Sequence, residues 1–175
     1  MTRVFSLPLR TRFRGITVRE GMVFRGDAGW GEWSPFVEYD DATALTWLRC
    51  AHEAAFVGWP TPVRSQVPVN VTVPAVDPPT AYDIVRLGGC LTAKVKVAEP
   101  GQTLADDQAR LEAVRSALGP AGLIRIDANG AWTVDEAVRA VRLLGAAAGG
   151  LEYVEQPCAS VEELASVEGI SQELA

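Results

Sequence analysis

The sequence predicts an α/β protein in which a β-rich N-terminal part precedes a parallel sheet, and three observations support this fold class. The chain has 175 residues, 48% apolar and 22% charged, which is typical of a globular protein with one domain or two small ones. From about Tyr82 onward, strand-like and helix-like patterns alternate. These strands recur at roughly 30 residues, the length of one βα unit.

The N-terminal part is predicted to begin with short strands. Residues 16–24 favour two strands around a hairpin turn at Glu20-Gly21. Residues 29–36 continue in an extended conformation, which stops at Pro35. We therefore expect a small antiparallel sheet at the start of the chain.

A helix and a linker are predicted next. Asp40 or Asp41 can cap a helix whose apolar residues recur at helical spacing. The later segment Pro68–Pro79 carries four prolines and is the best linker candidate. We therefore expect an α+β domain over residues 1–80 and a series of βα units over residues 81–175.

Three strands and three helices are predicted in the second part. The strands cover residues 91–97, 123–127 and 151–155, and the helices begin at Thr103, Thr133 and Ser160. Thr133 and Ser160 each precede a glutamate by three residues, which is the spacing of a capping box. Parallel strands connected by helices form an open doubly wound sheet or a (β/α) barrel. Because no glycine-rich phosphate-binding turn follows the first strand, an open nucleotide-binding sheet is the less favoured of the two.

Composition argues against several classes of partner. The net charge is −6 and the sequence pI is about 4.8, which disfavours binding to nucleic acid. Apolar runs fall short of the roughly 20 residues that a membrane span needs. The three cysteines follow neither a metal-binding spacing nor a disulfide framework. We therefore expect a cytoplasmic protein with reduced thiols and with no nucleic-acid or membrane partner.

Two lysines lie on one face of the first βα strand. In the run LTAKVKV, Lys94 and Lys96 point to one side and the apolar residues point to the other. One interpretation is an edge strand with a solvated face. The other is a pair at the mouth of a barrel, where active sites lie at the C-terminal ends of the strands.

Acidic residues end the next two strands. Asp127 and Asn129 follow the second strand, and Glu155 ends the third. Each carboxylate alone could be a charge at a helix N-terminus or a loop cap. Together they would point into one cleft, and rigidly held oxygen ligands suit Mg²⁺.

These motifs carry a family resemblance. The patterns Lys-x-Lys at 94–96, Asp-x-Asn at 127–129 and Glu-Gln-Pro at 155–157 resemble the enolase superfamily. The segments at 13–15, 30–32, 68–74 and 125–129 are similar, more narrowly, to o-succinylbenzoate synthases of the actinobacterial type. The resemblance implies an α+β capping domain followed by a modified (β/α) TIM-type barrel.

The resemblance also implies a reaction. The substrate would be a small carboxylate, and the reaction would begin with Mg²⁺-dependent removal of a proton from the carbon next to its carboxylate group. Dehydration would then give o-succinylbenzoate, an intermediate of menaquinone biosynthesis. Lys96 would be the base, with Lys94 beside it, and Asp127 and Glu155 would bind the metal. Arg125, Asn129 and Arg14 would contact the substrate, Arg14 from a closing loop. Arg125 could instead form an ion pair with Asp127 or Glu152.

Other interpretations stay open at this point. N-succinylamino acid racemases and dipeptide epimerases of the same superfamily use similar lysines and metal ligands. Only 86 residues follow Gly89, whereas such a barrel has at least about 200. We therefore expect a truncated product of a longer enzyme, in which later strands would supply a third ligand and an opposite lysine. A non-catalytic fragment is the remaining alternative.

Overall fold

The computed structural model describes residues 1–171, and the chain divides into two compact units. The first unit is Met1–Val67 and the second begins at Pro68. This division lies earlier than the boundary predicted at residue 80. The physical reason is that Val71–Val73 forms a strand that pairs with the sheet of the second unit.

The N-terminal unit is an antiparallel sheet with one helix. Its strands are β1 (Thr2–Phe13), β2 (Ile16–Arg25) and β3 (Trp30–Trp33), and they lie in the order β1-β2-β3. Its helix α1 (Asp41–His52) continues as a π-helical turn over Glu53–Val57. Asp40 caps α1 by accepting the backbone N–H of Thr43 at 2.8 Å, which confirms the predicted helix start. The helix packs closely on β3, since a Cβ at Gly31 would collide with the carbonyl oxygen of Ala51.

The predicted turn at Glu20-Gly21 is wrong. The chain reverses at Arg14-Gly15, where both residues have left-handed φ angles of 51° and 79°, as a two-residue hairpin turn requires. Strand β2 runs unbroken through Gly21. This glycine serves close packing, because a Cβ there would lie 2.8 Å from Cζ of Phe5.

The second unit is a parallel sheet with its helices in sequence order. The strands are β4 (Val71–Val73), β5 (Thr92–Lys96), β6 (Leu123–Asp127) and β7 (Tyr153–Glu155), and the helices are α2 (Pro78–Gly88), α3 (Leu104–Leu118), α4 (Val134–Ala148) and α5 (Val161–Ser171). The strand order is β4-β5-β6-β7, and every neighbouring pair is parallel. The predicted alternation of strands and helices is confirmed.

The sheet has one more strand than the three predicted. The segment interpreted as a linker contains β4 and the start of α2. The prolines had predicted a linker, but Pro78 and Pro79 lie in the first turn of α2. Proline is compatible with this position, because the backbone N–H that it lacks would have no hydrogen-bond partner within the helix. Asp77 caps the helix by accepting the N–H of Thr80 at 3.0 Å.

The hydrophobic core lies between the sheet and helices α2, α3 and α4. It contains the strand residues Val73, Ala93, Val95, Ile124 and Ile126 and the helix residues Val85, Leu111, Val114 and Leu144. Both predicted capping boxes are present, at Thr133 with Glu136 and at Ser160 with Glu163. Within residues 1–171, none of the helices has the length and apolar character to span a membrane.

Candidate active site

The register of the parallel sheet places five of the seven predicted site residues in two rows on the face opposite the helices. Lys96, Asp127 and Glu155 are paired across β5, β6 and β7. One row earlier, Lys94 is paired with Arg125. Because β5 lies between β4 and β6, the alternative of a solvated edge strand is excluded.

The two lysines and two carboxylates form one ion-pair network. Lys96 Nζ donates to Asp127 Oδ2 at 2.6 Å. Lys94 Nζ lies 2.9 Å from the same oxygen and donates to Glu155 Oε1 at 2.7 Å. The ammonium group of Lys94 therefore bridges the two carboxylates.

Burial strengthens these interactions, because the low local dielectric increases the energy of a charge pair. The side chain of Asp127 is only 2% exposed, and that of Lys94 is 20% exposed. Burial alone raises the pKa of Asp127, but hydrogen bonds from Lys96 and Lys94 outweigh it, and the pKa lies below its ordinary value. Burial lowers the pKa of Lys94, but its bonds to Glu155 and Asp127 outweigh that effect and raise it. At neutral pH Lys94 is therefore an ammonium group.

Asn129 joins this network through the turn that follows β6. Its backbone N–H donates to Asp127 Oδ1 at 2.9 Å, and its side-chain oxygen accepts from Lys96 Nζ at 2.8 Å. Asn129 has a left-handed φ of 49°, which asparagine tolerates better than most residues. Lys96 is thus held between Asp127 and Asn129. The role of Asn129 in binding substrate stays a prediction.

Arg125 has a different set of partners. It donates to Glu152 Oε2 at 2.6 Å and to Asn70 Oδ1 at 3.0 Å, and its guanidinium lies 5.0 Å from the centre of the Tyr153 ring. The ion pair with Glu152 is one of the two partners expected for this arginine. Asn70 was not singled out from the sequence, although a single asparagine in the run VPVNVTV was an available signal. Contact of Arg125 with substrate stays a prediction.

Arg14 lies in the N-terminal unit, at the turn between β1 and β2. Its Nη1 donates to the hydroxyl of Tyr39 at 3.1 Å, its guanidinium lies 4.3 Å from the centre of the Phe36 ring, and it is 3.8 Å from a carboxylate oxygen of Glu38. These contacts hold the arginine against the segment between β3 and α1. A role in contacting substrate is a prediction for this residue too.

The chemistry of Asp127 and Glu155 fits a divalent cation. The two carboxylates already share one cationic group, the ammonium of Lys94. Mg²⁺ is commonly bound by one or two carboxylates and keeps its other positions for water and substrate. Among the residues that the structure describes, no group of three or more acidic, histidine or cysteine side chains is arranged to hold a metal. Binding of a metal by Asp127 and Glu155 therefore stays a prediction, which rests on their sharing of one cationic group.

Comparison with known families identifies both units. Residues 4–55 match the family described as enolase N-terminal domain-like, and residues 80–175 match the family described as enolase C-terminal domain-like. The chain belongs to the enolase superfamily. The fold expected from the motifs, a capping domain followed by the start of a barrel, is confirmed.

Curated relatives are similar in sequence to the chain over most of its length. An o-succinylbenzoate synthase from Thermobifida fusca (strain YX) is 64% identical over 165 residues, which are 94% of this chain and 51% of that protein. An o-succinylbenzoate synthase from Mycolicibacterium smegmatis (strain ATCC 700084 / mc(2)155) is 54% identical over 165 residues, 94% of this chain and 50% of that protein. The chain spans about half the length of the curated relatives it matches.

Solved structures agree on the fold. The L-Ala-D/L-Glu epimerase from Bacillus subtilis superposes with a TM-score of 0.72 at 24% identity, over 97% of this chain and 63% of that one. The o-succinylbenzoate synthase from Thermosynechococcus elongatus BP-1, solved with Mg in its active site, gives a TM-score of 0.57 at 21% identity, over 100% of this chain and 66% of that one.

Proposed function

We propose that the chain supplies the proton-transferring lysine and two metal ligands of a Mg²⁺-dependent o-succinylbenzoate synthase, a dehydrating lyase of menaquinone biosynthesis in the cytoplasm. The observation that carries the proposal is the contact of Lys94 and Lys96 with Asp127 and Glu155 at the C-terminal ends of three neighbouring strands. The names of the curated relatives support this reaction over others of the superfamily.

The first step removes the proton from the carbon next to the substrate carboxylate. This carbon acid is weak, so the base must be held against it. Lys96 Nζ takes the proton on its lone pair, and the C–H electron pair moves into the carboxylate to give an enediolate. The chain's other groups hold Lys96 from two sides, through Asp127 and Asn129.

The second step eliminates the β-hydroxyl. The enediolate electron pair forms the new C=C bond as the C–O bond breaks, and the ammonium form of Lys96 gives its proton to the leaving hydroxyl, which departs as water. Lys94 supplies a fixed positive charge beside the reacting carboxylate. Mg²⁺ bound by Asp127 and Glu155 would act as a Lewis acid that stabilises negative charge on the substrate carboxylate.

Recognition of a small carboxylate is the proposed role of three further residues. Arg125 presents a guanidinium in the same row as Lys94, one row before Lys96 and Asp127, and a guanidinium suits bidentate binding of a carboxylate. Asn129 offers its amide group beside Lys96. Arg14 would contribute from the capping unit.

The test joins this chain, after Ala175, to the part of the Thermobifida fusca relative that the match does not cover; we refer to the product as the joined protein. Two measurements are made: formation of o-succinylbenzoate, and exchange of the substrate α-proton with solvent deuterium. Lys96→Arg keeps a positive charge but cannot accept a proton near neutral pH. We expect it to lower both rates at least about a hundredfold.

Lys94→Ala is the matched variant, because Lys94 and Lys96 are the only lysines in the chain and share one strand face. We expect it to weaken substrate binding and turnover while part of the exchange survives. The assignment is contradicted if Lys96→Arg retains near-parental exchange and Lys94→Ala loses it. Racemisation of an N-succinylamino acid or a dipeptide by the joined protein, without dehydration, would contradict the reaction itself.

A further inference from the structure

A buried ion pair on α3 does not take part in the network described above. Asp107 and Arg110 are 2% and 1% exposed, and Arg110 Nη1 donates to Asp107 Oδ1 at 2.6 Å. Buried charges are unfavourable unless they are paired and hydrogen-bonded. Apolar residues of similar volume often stabilise a core as well as such a pair does. The other contacts of the two side chains therefore decide what the pair does.

Two of these contacts hold the backbone where β5 ends. Arg110 Nη1 donates to the carbonyl oxygen of Lys96 at 3.0 Å, and the N–H of Ala98 donates to Asp107 Oδ2 at 2.9 Å. Ala98 has a left-handed φ of 58°, a conformation that alanine keeps only where its surroundings hold it. The pair thus fixes the peptide groups on either side of Val97.

Further contacts connect the same pair to the segment that follows β4. Arg110 Nε donates to the carbonyl oxygen of Val76 at 2.7 Å, and its Nη2 donates to Gln102 Oε1. Gln102 in turn donates through Nε2 to the carbonyl oxygen of Ala75 at 3.0 Å. The buried guanidinium therefore connects α3 with the chain segments that leave both β4 and β5.

We propose that Asp107 and Arg110 are a positioning pair for Lys96. The inference rests on the proposed function, in which Lys96 transfers the proton. The pair acts through the backbone of Lys96, from which the side chain projects to the opposite face of the sheet. A displacement of about 1 Å in a group that transfers a proton can lower a rate by about a hundredfold. Loss of the pair should therefore reduce catalysis more than it reduces substrate binding.

The test variant removes both charges together. Asp107→Leu with Arg110→Met fills a similar volume and leaves no unpaired charge in the core. Arg115→Met is the matched control, because Arg115 also lies on α3 and also donates to backbone carbonyls. Its acceptors are Ala148, Gly119 and Gly122, which precede the start of β6 or β7 and so lie at the other end of the sheet.

The first measurement uses the 175-residue chain labelled with ¹⁵N-lysine. With only two lysines, the spectrum has two backbone and two side-chain lysine positions, which Lys94→Arg assigns. We expect the Lys96 signals to move in the double variant and to stay in place in Arg115→Met. Unmoved Lys96 signals in a folded double variant would overturn the proposal.

The second measurement uses the joined protein. We expect the double variant to lower kcat tenfold to a hundredfold with KM changed less than about twofold, and Arg115→Met to keep the parental kcat. Adding Ala98→Gly should recover part of the loss, because glycine adopts the left-handed turn without strain. Should the double variant not fold, Arg110→Lys keeps the charge but cannot make all the bonds of the guanidinium, and it should lower kcat less severely.

The outcomes separate this inference from the proposed function. Parental α-proton exchange in Lys96→Arg contradicts the proposed function. Loss of exchange in Lys96→Arg, together with a parental kcat in the double variant or in Arg110→Lys, contradicts only the positioning role. A lowered kcat in both test variants with an unchanged KM supports it.

Discussion

The two faces of the parallel sheet differ in polarity and in what their side chains contact. The face toward the helices carries Val73, Val95 and Ile126, all completely buried. The opposite face carries charged side chains, and Lys94, Lys96, Asp127 and Glu155 form ion pairs with one another across the strands. Both faces come from the same strands, because consecutive residues of a strand point in opposite directions.

Neighbouring residues of one strand can therefore serve different purposes, one stabilising the core and the next belonging to the candidate active site. Ile126 and Asp127 are neighbours in β6 and both are buried. Ile126 is surrounded by core side chains, whereas Asp127 Oδ2 lies within 2.9 Å of the Nζ atoms of both lysines. Substitutions at these two positions should therefore damage different properties of the protein.

The largest expected effect is on the charged face. Asp127→Asn in the joined protein keeps the side-chain volume but removes the negative charge. We expect Mg²⁺-dependent turnover to fall about a thousandfold or more, since Lewis-acid stabilisation is worth several kcal/mol. Calorimetric titration with Mg²⁺ should show weaker binding, and circular dichroism should show an unchanged fold. Parental Mg²⁺ affinity in this variant would exclude Asp127 as a ligand.

The helix-facing neighbour should show the opposite behaviour. Ile126→Ala should reduce the free energy of unfolding by about 2–5 kcal/mol, because it opens a cavity in the core. Denaturant titration of the 175-residue chain measures this loss. Ile126→Val, the milder control, should cost about 0.5–1.5 kcal/mol and leave turnover of the joined protein nearly unchanged. A large loss of turnover in Ile126→Val would mean that the two faces are not independent.

The charged face was largely predictable from the sequence, because it depends on local rules. Side chains of a strand point alternately to its two faces, which predicts that Lys94 and Lys96 of β5 share one face. Asp127 and Glu155 come at the ends of β6 and β7, which predicts that they lie at the same edge of the sheet. A parallel sheet then brings these side chains together whatever the details of the loops.

Features that depend on the tertiary structure were not predictable in this way. Strand β4 was missed because its three residues lie among prolines, and pairing with β5 decides their conformation. The turn at Arg14 was missed because the glycine at position 21 looked like the stronger signal. The burial of Asp107 and Arg110 was missed because charged residues on a helix are normally exposed, and only their contacts with distant backbone groups explain them.

A smaller effect is expected at a helix cap close to the charged end of the sheet. Thr133 caps α4 shortly after β6 and takes part in a capping box with Glu136. Thr133→Ala should reduce the free energy of unfolding by about 1 kcal/mol, because it leaves a helix N–H without its acceptor. Thr133→Ser, which keeps the hydroxyl, is the control. Denaturant midpoints for both variants check this, and equal losses in the two would exclude the capping role.

The smallest expected effect is one of pH, and it compares two aspartates whose pKa values both lie below the ordinary range. At Asp77, hydrogen bonds from the backbone and side chain of Thr80 lower the pKa. A carboxyl with a lowered pKa in the folded state stabilises the fold fully above its unfolded pKa of about 3.9, and this stabilisation is lost as the pH falls through the folded value. The contribution of Asp77 should therefore be present at neutral pH and disappear in acid.

Asp77→Asn isolates this contribution, because asparagine caps a helix about as well as aspartate but does not titrate. Near pH 7 the parent and the variant should unfold at similar denaturant concentrations, and below about pH 4 the parent should lose stability faster. Thr80→Val, which removes the hydroxyl donor but keeps the backbone N–H, should make the acid-dependent part smaller. Unlike Asp127→Asn, Asp77→Asn should leave turnover of the joined protein unchanged, because its carboxylate serves only the N-terminus of α2. A difference in unfolding free energy between parent and variant that stays constant from pH 7 into acid would show that the cap at Asp77 does not depend on its charge.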